Sequence, residues 1–229
     1  MNVVNNSIGV IIPAAGMGRR MKSYGPKSLI KIGNSTIIKN QINLLQTYFS
    51  PTTIVLVCGF KATVLMNETP DHILKVENER YEHTNVVRSI GIGLRVMGAC
   101  PQIIIVYGDL VFNSATLKDI KLTESSIIVT DSEMGEGEVG CIINKKQKLT
   151  NLMYDLPNKW GQIAVFVGKE LELLKQLCWD EKNYTKFGFE IINQIINKGG
   201  NFQCIQNPNI KIVDIDSSKD IQKAKEILL

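Results

Sequence analysis

The segment Ile11 to Lys27, with the sequence IIPAAGMGRRMKSYGPK, constrains the fold of this chain more than any other. It continues the apolar run Ile8 to Ile12, which is typical of a strand buried on both faces of a parallel sheet. Pro13 ends the run and a glycine-rich turn follows it. A buried strand that breaks into such a turn indicates an α/β fold in which the backbone N–H groups of the turn can bind an anion.

Further along the chain, apolar runs of strand length alternate with segments of helical apolar spacing. Strands are predicted at Thr53 to Val57, Ile73 to Val76, Ile103 to Tyr107 and Ser126 to Thr130. Helices are predicted at Thr36 to Phe49, Lys61 to Asn67, Asn85 to Met97 and Ser114 to Ile120. Gly91 and Gly93 weaken the third of these helices. The alternation predicts an α/β fold with a Rossmann-like, mixed, mostly parallel sheet flanked by helices.

After Asp131 the predicted strands and helices no longer alternate regularly. Strands are predicted at Glu138 to Asn144, Lys148 to Met153, Gln162 to Val167, Phe202 to Ile205 and Ile212 to Ile215. Helices are predicted at Lys169 to Leu177, at Tyr184 to Asn197 and from Ser217, as the N-cap, to the end of the chain. No linker is rich enough in Gly, Pro or Ser to mark a boundary, so we expect a single domain, residues 1–229.

Three polar segments follow predicted buried strands. They are the glycine-rich turn, Asp109 after the strand that ends at Tyr107, and the pair Asp214 and Asp216 around Ile215. Ligands of doubly wound sheets bind beyond the carboxyl ends of the strands. We therefore expect these distant segments to converge on one cleft.

The distribution of charge favours an anionic ligand. The formal net charge is +4, which is too mild to indicate nucleic acid, and all 22 acidic residues lie from Glu68 onward. A cationic first third of the chain attracts anions and speeds their arrival. The alternative is a chance distribution of surface charge.

The cysteines and the apolar runs bear on the compartment. Five widely spaced cysteines form no C-x-x-C pair, so we expect free thiols in a reducing compartment. The N-terminal sequence lacks a basic start and a long apolar core, so no signal peptide is predicted. No apolar run approaches the roughly 18 residues of a membrane helix. We expect a cytoplasmic protein that acts neither on membranes nor on nucleic acid.

Two common phosphate-binding motifs are excluded around the glycine-rich turn. The dinucleotide fingerprint G-x-G-x-x-G requires glycine where this chain has Met21, and no G-x-x-x-x-G-K-[ST] run occurs. What remains is a turn followed closely by Arg19, Arg20 and Lys27. This combination of free backbone N–H groups and cations suits a polyphosphate.

The segment Ala14 to Met21, followed by Pro26 and Lys27, resembles the signature of the sugar-phosphate nucleotidyltransferase superfamily. The resemblance continues at Gly108-Asp109 and at Val213 to Ser217. These enzymes take a nucleoside triphosphate and a phosphomonoester and release pyrophosphate. The resemblance implies the nucleotidyltransferase (GT-A-like) fold, with a nucleotide-binding half, 1–131, and an acceptor-binding half, 132–229, where the match is weakest.

Within this superfamily the chain looks most similar to small cytidylyltransferases, such as those that use phosphocholine, 2-aminoethylphosphonate or the phosphoglutamine of capsule synthesis. The features that carry this similarity are Lys27 to Leu29, Tyr81 to Ser89 and Asp214 to Ser217. The resemblance implies CTP and a small phosphorylated acceptor as partners, and it leaves a homodimer open. The alternatives are a sugar-1-phosphate nucleotidylyltransferase that uses UTP, GTP or dTTP, and a relative that binds nucleotide without turnover.

The resemblance also implies roles for individual residues. Arg20 would grip the triphosphate, and Lys27 would meet the α-phosphate and its developing charge. The nucleotide would lie against Ala14, Ala15, Gly16, Met17, Gly18, Arg19 and Gly108. Thr84, Asn85 and Ser89 would recognise the base, although Thr84 could instead cap a helix.

Three carboxylates and four residues of the second half complete the predicted site. By the resemblance, Asp109, Asp216 and Asp214 would hold Mg²⁺, while an acidic residue at a helix N-terminus is the alternative for Asp216. The candidates for acceptor binding are Lys159, Trp160, Tyr184 and Glu190. A phosphomonoester is already anionic near neutral pH, so no general base is needed. We expect catalysis by charge neutralisation and in-line positioning.

Overall fold

A computed structural model of the protein describes residues 7–18, 25–132, 134–135 and 137–227. The strands are β1 (Ile8–Ala14), β2 (Lys31–Ile32), β3 (Ser35–Thr36), β4 (Thr53–Cys58), β5 (Leu74–Glu77), β6 (Gln102–Val106), β7 (Leu110–Phe112), β8 (Ser126–Thr130), β9 (Val139–Ile143), β10 (Leu149–Tyr154), β11 (Lys159–Val167), β12 (Gln203–Gln206) and β13 (Ile212–Asp214). The helices are α1 (Ile37–Phe49), α2 (Ala62–Glu68), α3 (Val86–Met97), α4 (Ala115–Lys118), α5 (Gly168–Trp179), α6 (Gly188–Asn197) and α7 (Ser218–Ile227).

The main sheet is mixed, as predicted. In the described residues it contains nine strands, with the order β10-β9-β11-β6-β1-β4-β5 and with β8 pairing to β11 and β12. The strands β6, β1, β4 and β5 run parallel, whereas β11 is antiparallel to β6, β8 and β9. Strands from both halves of the chain therefore share one sheet, and its four adjacent parallel strands, β6, β1, β4 and β5, come from the first half.

Helices cover both faces of this sheet. On β1, Ile11 packs into the cluster that contains α3, α5 and α6, whereas Val10 and Ile12 pack into the cluster that contains α1, α2 and α4. Successive side chains of a strand point to opposite faces, so a strand with helices on both sides is apolar at every position. This arrangement explains the uninterrupted run from which the fold was predicted.

The glycines of α3 serve close packing. A Cβ on Gly93 would lie 2.6 Å from Cγ2 of Ile11, and a Cβ on Gly91 would lie 2.5 Å from the carbonyl oxygen of Cys178. Larger residues would push α3 away from β1 and from α5. Gly91 and Gly93, whose low helix propensity weakened the prediction of this helix, are thus required by its packing.

Three parts of the chain differ from the sequence prediction. The helix predicted from Tyr184 begins at Gly188, and the strand predicted from Gln162 begins at Lys159. The pairing of β7 with β13 was not predicted. Short pairings of this kind depend on contacts distant in sequence, which local patterns do not report. Among the described residues, no helix is both long enough and apolar enough to cross a membrane.

Candidate functional site

A cleft of about 410 Å³ opens beyond the carboxyl ends of the parallel strands β1 and β6. The three segments that were predicted to converge all line it: the glycine-rich turn, Gly108-Asp109, and the pair Asp214 and Asp216. The cleft is also lined by Glu138, Trp160, Gln162 and the segment Phe187–Phe189, among others. We call the three converging segments the phosphate wall and this second set of residues the aromatic wall.

The glycine-rich turn leaves β1 directly into the cleft. Ala14, Ala15, Gly16 and Gly18 line it, whereas Met17 is half-buried and is not among the described lining residues. Gly18 has a φ of 58°, which glycine adopts without strain. A Cβ at Gly16 would meet open space, so its backbone is accessible to a ligand.

Gly108 joins the end of β6 to the glycine-rich turn. Its N–H donates to the carbonyl oxygen of Pro13 at 3.0 Å. A Cβ at this position would lie 2.7 Å from the Cβ of Ala14. The small size of both residues therefore holds the two strand ends together, and Asp109 follows at once.

Lys27 lies between two of the predicted metal carboxylates. Its Nζ donates to Oδ1 of Asp216 and lies 3.6 Å from Oδ2 of Asp109. A short 3₁₀ turn, Lys27–Leu29, starts behind Pro26 and presents the lysine to the cleft. Arg19 and Arg20, for which phosphate contacts were predicted, lie outside the described residues.

Electrostatics differ between the carboxylates. Burial raises the pKa of Asp109, the charges of Asp214 and Asp216 add to this rise, and the ammonium of Lys27 opposes it. Burial would also raise the pKa of Asp214, but the Lys159 ammonium and hydrogen bonds bring it below the ordinary value. An additional cation in the cleft would therefore stabilise the charged form of Asp109.

The donor set around Lys27 fits a magnesium ion. No group of three or more His, Cys, Asp or Glu side chains within the described residues is arranged to hold a metal. Mg²⁺ needs fewer, because one or two carboxylates, phosphate oxygens and water complete its shell. Asp109 and Asp216 already share one cation, Lys27, and both line the cleft. These two carboxylates are the residues that would hold the ion.

Asp214 has other partners. Its Oδ1 lies 3.4 Å from Nζ of Lys159, and its Oδ2 accepts a hydrogen bond from the Gln162 amide at 3.3 Å. Lys159 also donates to Oε1 of Glu138. Lys159 was predicted to bind the acceptor, but its side chain is buried and occupied by these two carboxylates.

The predicted base-recognition residues lie close together and line the cleft. The amide of Asn78 donates to Oγ1 of Thr84 and to Oγ of Ser89, both at 3.1 Å. Asn85, not Thr84, is the N-cap of α3, and its side chain accepts from the N–H of Val86. Asn78 was not predicted, and its position after β5 was the only signal that pointed to it.

Of the other predicted acceptor-binding residues, Trp160 alone lines the cleft in the described structure. Its Nε1 is buried and has no hydrogen-bond partner in the described part of the chain. Tyr184 is buried and accepts a hydrogen bond from Arg88 at 2.9 Å. Glu190 caps α6 by accepting from the N–H of Phe187 at 2.8 Å.

The aromatic wall contains two residues that sequence analysis missed, Phe187 and Phe189. Phe187 stacks on Phe189 with ring centroids 5.9 Å apart, and Tyr154 meets Phe189 edge-on at 5.3 Å. Phe187 and Tyr154 are exposed. Two phenylalanines around one glycine in a polar stretch were a signal for this surface. Glu138 and Gln162 carried no comparable signal.

Comparisons with known proteins agree with this geometry. The family model described as the MobA-like NTP transferase domain matches residues 10–182. The bifunctional protein GlmU of Buchnera aphidicola subsp. Acyrthosiphon pisum is 26% identical over 198 residues, which cover 82% of this chain and 43% of that protein. The chain therefore spans less than half the length of this curated relative.

Two solved structures share the fold. The CTP:phosphocholine cytidylyltransferase from Streptococcus pneumoniae has a TM-score of 0.80 and 17% identity, with coverage of 97% of this chain and 100% of that chain. The inositol-1-phosphate CTP transferase from T. maritima has a TM-score of 0.78 and 16% identity, with coverage of 96% and 97%. At this identity the similarity shows the fold, and the predicted nucleotidyltransferase fold is confirmed.

Proposed function

The chain belongs to the MobA-like NTP transferase domain family, and on this basis we propose that it transfers CMP from CTP to a small phosphomonoester or phosphonate and releases pyrophosphate. The observation that carries the proposal is the position of Lys27, between Asp109 and Asp216 and next to an open glycine-rich turn. This is an arrangement for holding phosphates and neutralising charge. We propose that the nucleotide-binding half is 1–131 and the acceptor-binding half is 132–229.

The reaction requires little proton transfer by the protein. The acceptor oxygen is already anionic, so the residues of the site orient it and reduce the repulsion between two anions. The backbone of Gly16 and Gly18 approaches the phosphates, and Lys27 meets the charge that develops at the α-phosphate. We assign phosphate contacts also to Arg20. Mg²⁺, held by Asp109 and Asp216, would supply further charge neutralisation on the phosphates.

CTP is the proposed nucleotide for two reasons. Both of the solved structures described above are named as enzymes that use CTP. In addition, Asn78, Thr84 and Ser89 form a compact polar group in the cleft that can read a base edge. Asn85 lies beside this group.

The acceptor would bind against the aromatic wall. Trp160 lines the cleft, and its buried indole N–H, which can only donate, has no partner among the described residues. A phosphate, phosphonate or hydroxyl oxygen of the acceptor would satisfy it. The exposed ring of Phe187 would cover a less polar part of the acceptor. This proposal replaces Lys159, Tyr184 and Glu190, whose side chains have other partners, as acceptor contacts.

The proposed setting is a reducing compartment, the cytoplasm. All five cysteines are free and buried. Burial raises the pKa of Cys58 and of Cys141 to about 12, so these thiols are protonated and unreactive in the folded protein.

A pyrophosphate-release assay tests the proposal. CTP, UTP, GTP and dTTP are each combined with Mg²⁺ and with one acceptor at a time. The acceptors are phosphocholine, 2-aminoethylphosphonate, phosphoglutamine, inositol-1-phosphate and several sugar-1-phosphates. We expect release with CTP and one non-sugar acceptor, and none after chelation of Mg²⁺. Release with UTP, GTP or dTTP and a sugar phosphate would replace the proposed substrates. Nucleotide binding without release over the whole panel would favour a non-catalytic relative.

The variant Asp109→Asn tests the role of the carboxylate. It should lower the rate about 10²–10³-fold, because an amide does not neutralise a cation. Asp119→Asn is the matched control, because Asp119 is exposed and accepts from the Asn207 amide outside the cleft. Asp109→Asn with activity close to that of Asp119→Asn would contradict the assignment.

A further inference from the structure

One polar side chain lies on the buried face of α1. The residues that α1 buries are Ile37, Ile38, Gln41, Ile42 and Leu45, and only 2% of the Gln41 surface is exposed. The helical spacing of this face calls for an apolar residue at position 41. A glutamine at such a position is costly unless its amide is hydrogen-bonded.

The Gln41 amide bonds to both sides of the turn that carries Asp109. Its Nε2 donates to the carbonyl oxygen of Tyr107 at 2.9 Å and to that of Leu110 at 2.7 Å. The two residues between these carbonyls are Gly108 and Asp109. Both amide hydrogens are therefore used on this turn, whereas Oε1 is buried without a partner in the described residues.

The same turn is connected to the other parts of the phosphate wall. Gly108 donates to the carbonyl oxygen of Pro13, at the start of the glycine-rich turn, at 3.0 Å. The carbonyl oxygen of Asp109 accepts from the N–H of Ile215, between Asp214 and Asp216, at 3.1 Å. The main chain of Gly108-Asp109 thus fixes the distances between the predicted phosphate and metal groups.

We propose that Gln41 is a positioning residue that holds the Tyr107–Leu110 turn and thereby places the Asp109 carboxylate next to Asp216. The role in metal binding rests on the proposed function. An apolar residue would fill the same space and would avoid the unpaired Oε1, but it would supply neither hydrogen bond. The two donated bonds are what the buried amide contributes.

The test compares Gln41→Met with Gln46→Met. Methionine has nearly the volume and helix propensity of glutamine, so the core stays filled. Gln46 lies on the same helix and bonds to His72 instead, which makes it the matched control. Hydrogen exchange of the intact protein is measured first, followed by CTP affinity with and without Mg²⁺.

In Gln41→Met we expect exchange about tenfold faster in segments 107–112 and 212–216, as for the loss of one or two hydrogen bonds. Exchange in α3 and β4 should stay unchanged. The gain in CTP affinity that Mg²⁺ provides should fall about tenfold, while CTP affinity without Mg²⁺ stays similar. Gln46→Met should change none of these.

Unchanged exchange at the turn, or faster exchange throughout the chain, would overturn the positioning role. Faster exchange at the turn with an unchanged Mg²⁺ effect would overturn the link to Asp109. If the wild-type protein shows no Mg²⁺ effect on CTP, the proposed function fails. The exchange data still decide in that case whether Gln41 holds the turn, because they require no ligand.

Discussion

Two lysines near the cleft, Lys27 and Lys159, each lie between two carboxylates, but the two groups differ in exposure. The Lys27 side chain is 14% exposed and its partners Asp109 and Asp216 are 32% and 27% exposed. The Lys159 side chain is 7% exposed and its partners Glu138 and Asp214 are 17% and 15% exposed. The two groups thus contain the same charges, but the carboxylates beside Lys27 are more exposed than those beside Lys159.

We propose that this difference separates an ion group that binds a ligand from one that supports the fold. Charges that stay partly hydrated can exchange protein partners for phosphate at small cost. Charges that are almost fully desolvated depend on each other, and the removal of one leaves the others unpaired. Sequence analysis assigned Lys27 and the aspartates by the resemblance and named Lys159 only as a candidate for acceptor binding. The partners and exposure of these residues are seen only in the structure.

The largest effect is expected for Lys27→Ala. Loss of this cation should lower the turnover number about 10²–10³-fold, because the Lys27 ammonium contacts both Asp109 and Asp216. Stability should fall less than in a Lys159 variant, since Asp109 and Asp216 are more exposed than Glu138 and Asp214. Steady-state kinetics and thermal unfolding measure the two quantities.

Lys31→Ala is the control for this variant, because Lys31 is exposed and close in sequence. It should retain wild-type turnover. A Lys27→Ala protein with the turnover number of Lys31→Ala, or with a much lower unfolding temperature, would contradict the distinction between the Lys27 and Lys159 groups.

The second prediction concerns stability and its pH dependence. Lys159→Met should lower the free energy of unfolding by about 3 kcal/mol near pH 7, because Glu138 and Asp214 would remain buried without their cation. The folded-state pKa of Asp214 lies below its ordinary value of 3.8. Its contribution to stability is therefore present above that value and is lost as the pH falls through the folded-state pKa.

Denaturant unfolding at about pH 7 and about pH 3 measures this difference. The gap between wild type and Lys159→Met should narrow at the lower pH. Lys148→Met is the control, since Lys148 forms an exposed pair with Glu124 and should cost at most about 1 kcal/mol. A gap that is as small as that of the control would show that Lys159 is not a structural charge.

The phosphate wall was largely predictable from the sequence. Its residues are either consecutive, as in Ala14 to Gly18, or directly follow a buried strand, as Asp109 does. Strand ends of a parallel sheet meet at one edge, so the position of such residues follows from the fold class. The nucleotidyltransferase family predicted from these residues is confirmed.

The aromatic wall was not predictable in the same way. Gln162 has a φ of 55° within β11, where the pairing with β8 shifts register between Trp160 and Ala164. Such a bulge turns one side chain toward the cleft, and it depends on the neighbouring strands. The reason for glycine at position 188 is likewise seen only in the structure, since a Cβ there would collide with Oη of Tyr107.

The smallest effect is expected on the aromatic wall itself. Phe187→Ala should raise the KM for the acceptor about tenfold and leave the KM for CTP unchanged, because the Phe187 ring lines the cleft, stacks on Phe189 and is assigned to the acceptor. Stability should change little, since the ring is 46% exposed. Tyr48→Ala removes an exposed ring from α1 and should affect neither constant. If Phe187→Ala instead raised the KM for CTP, the ring would contact the nucleotide, and the cleft would have one substrate surface where we assign two.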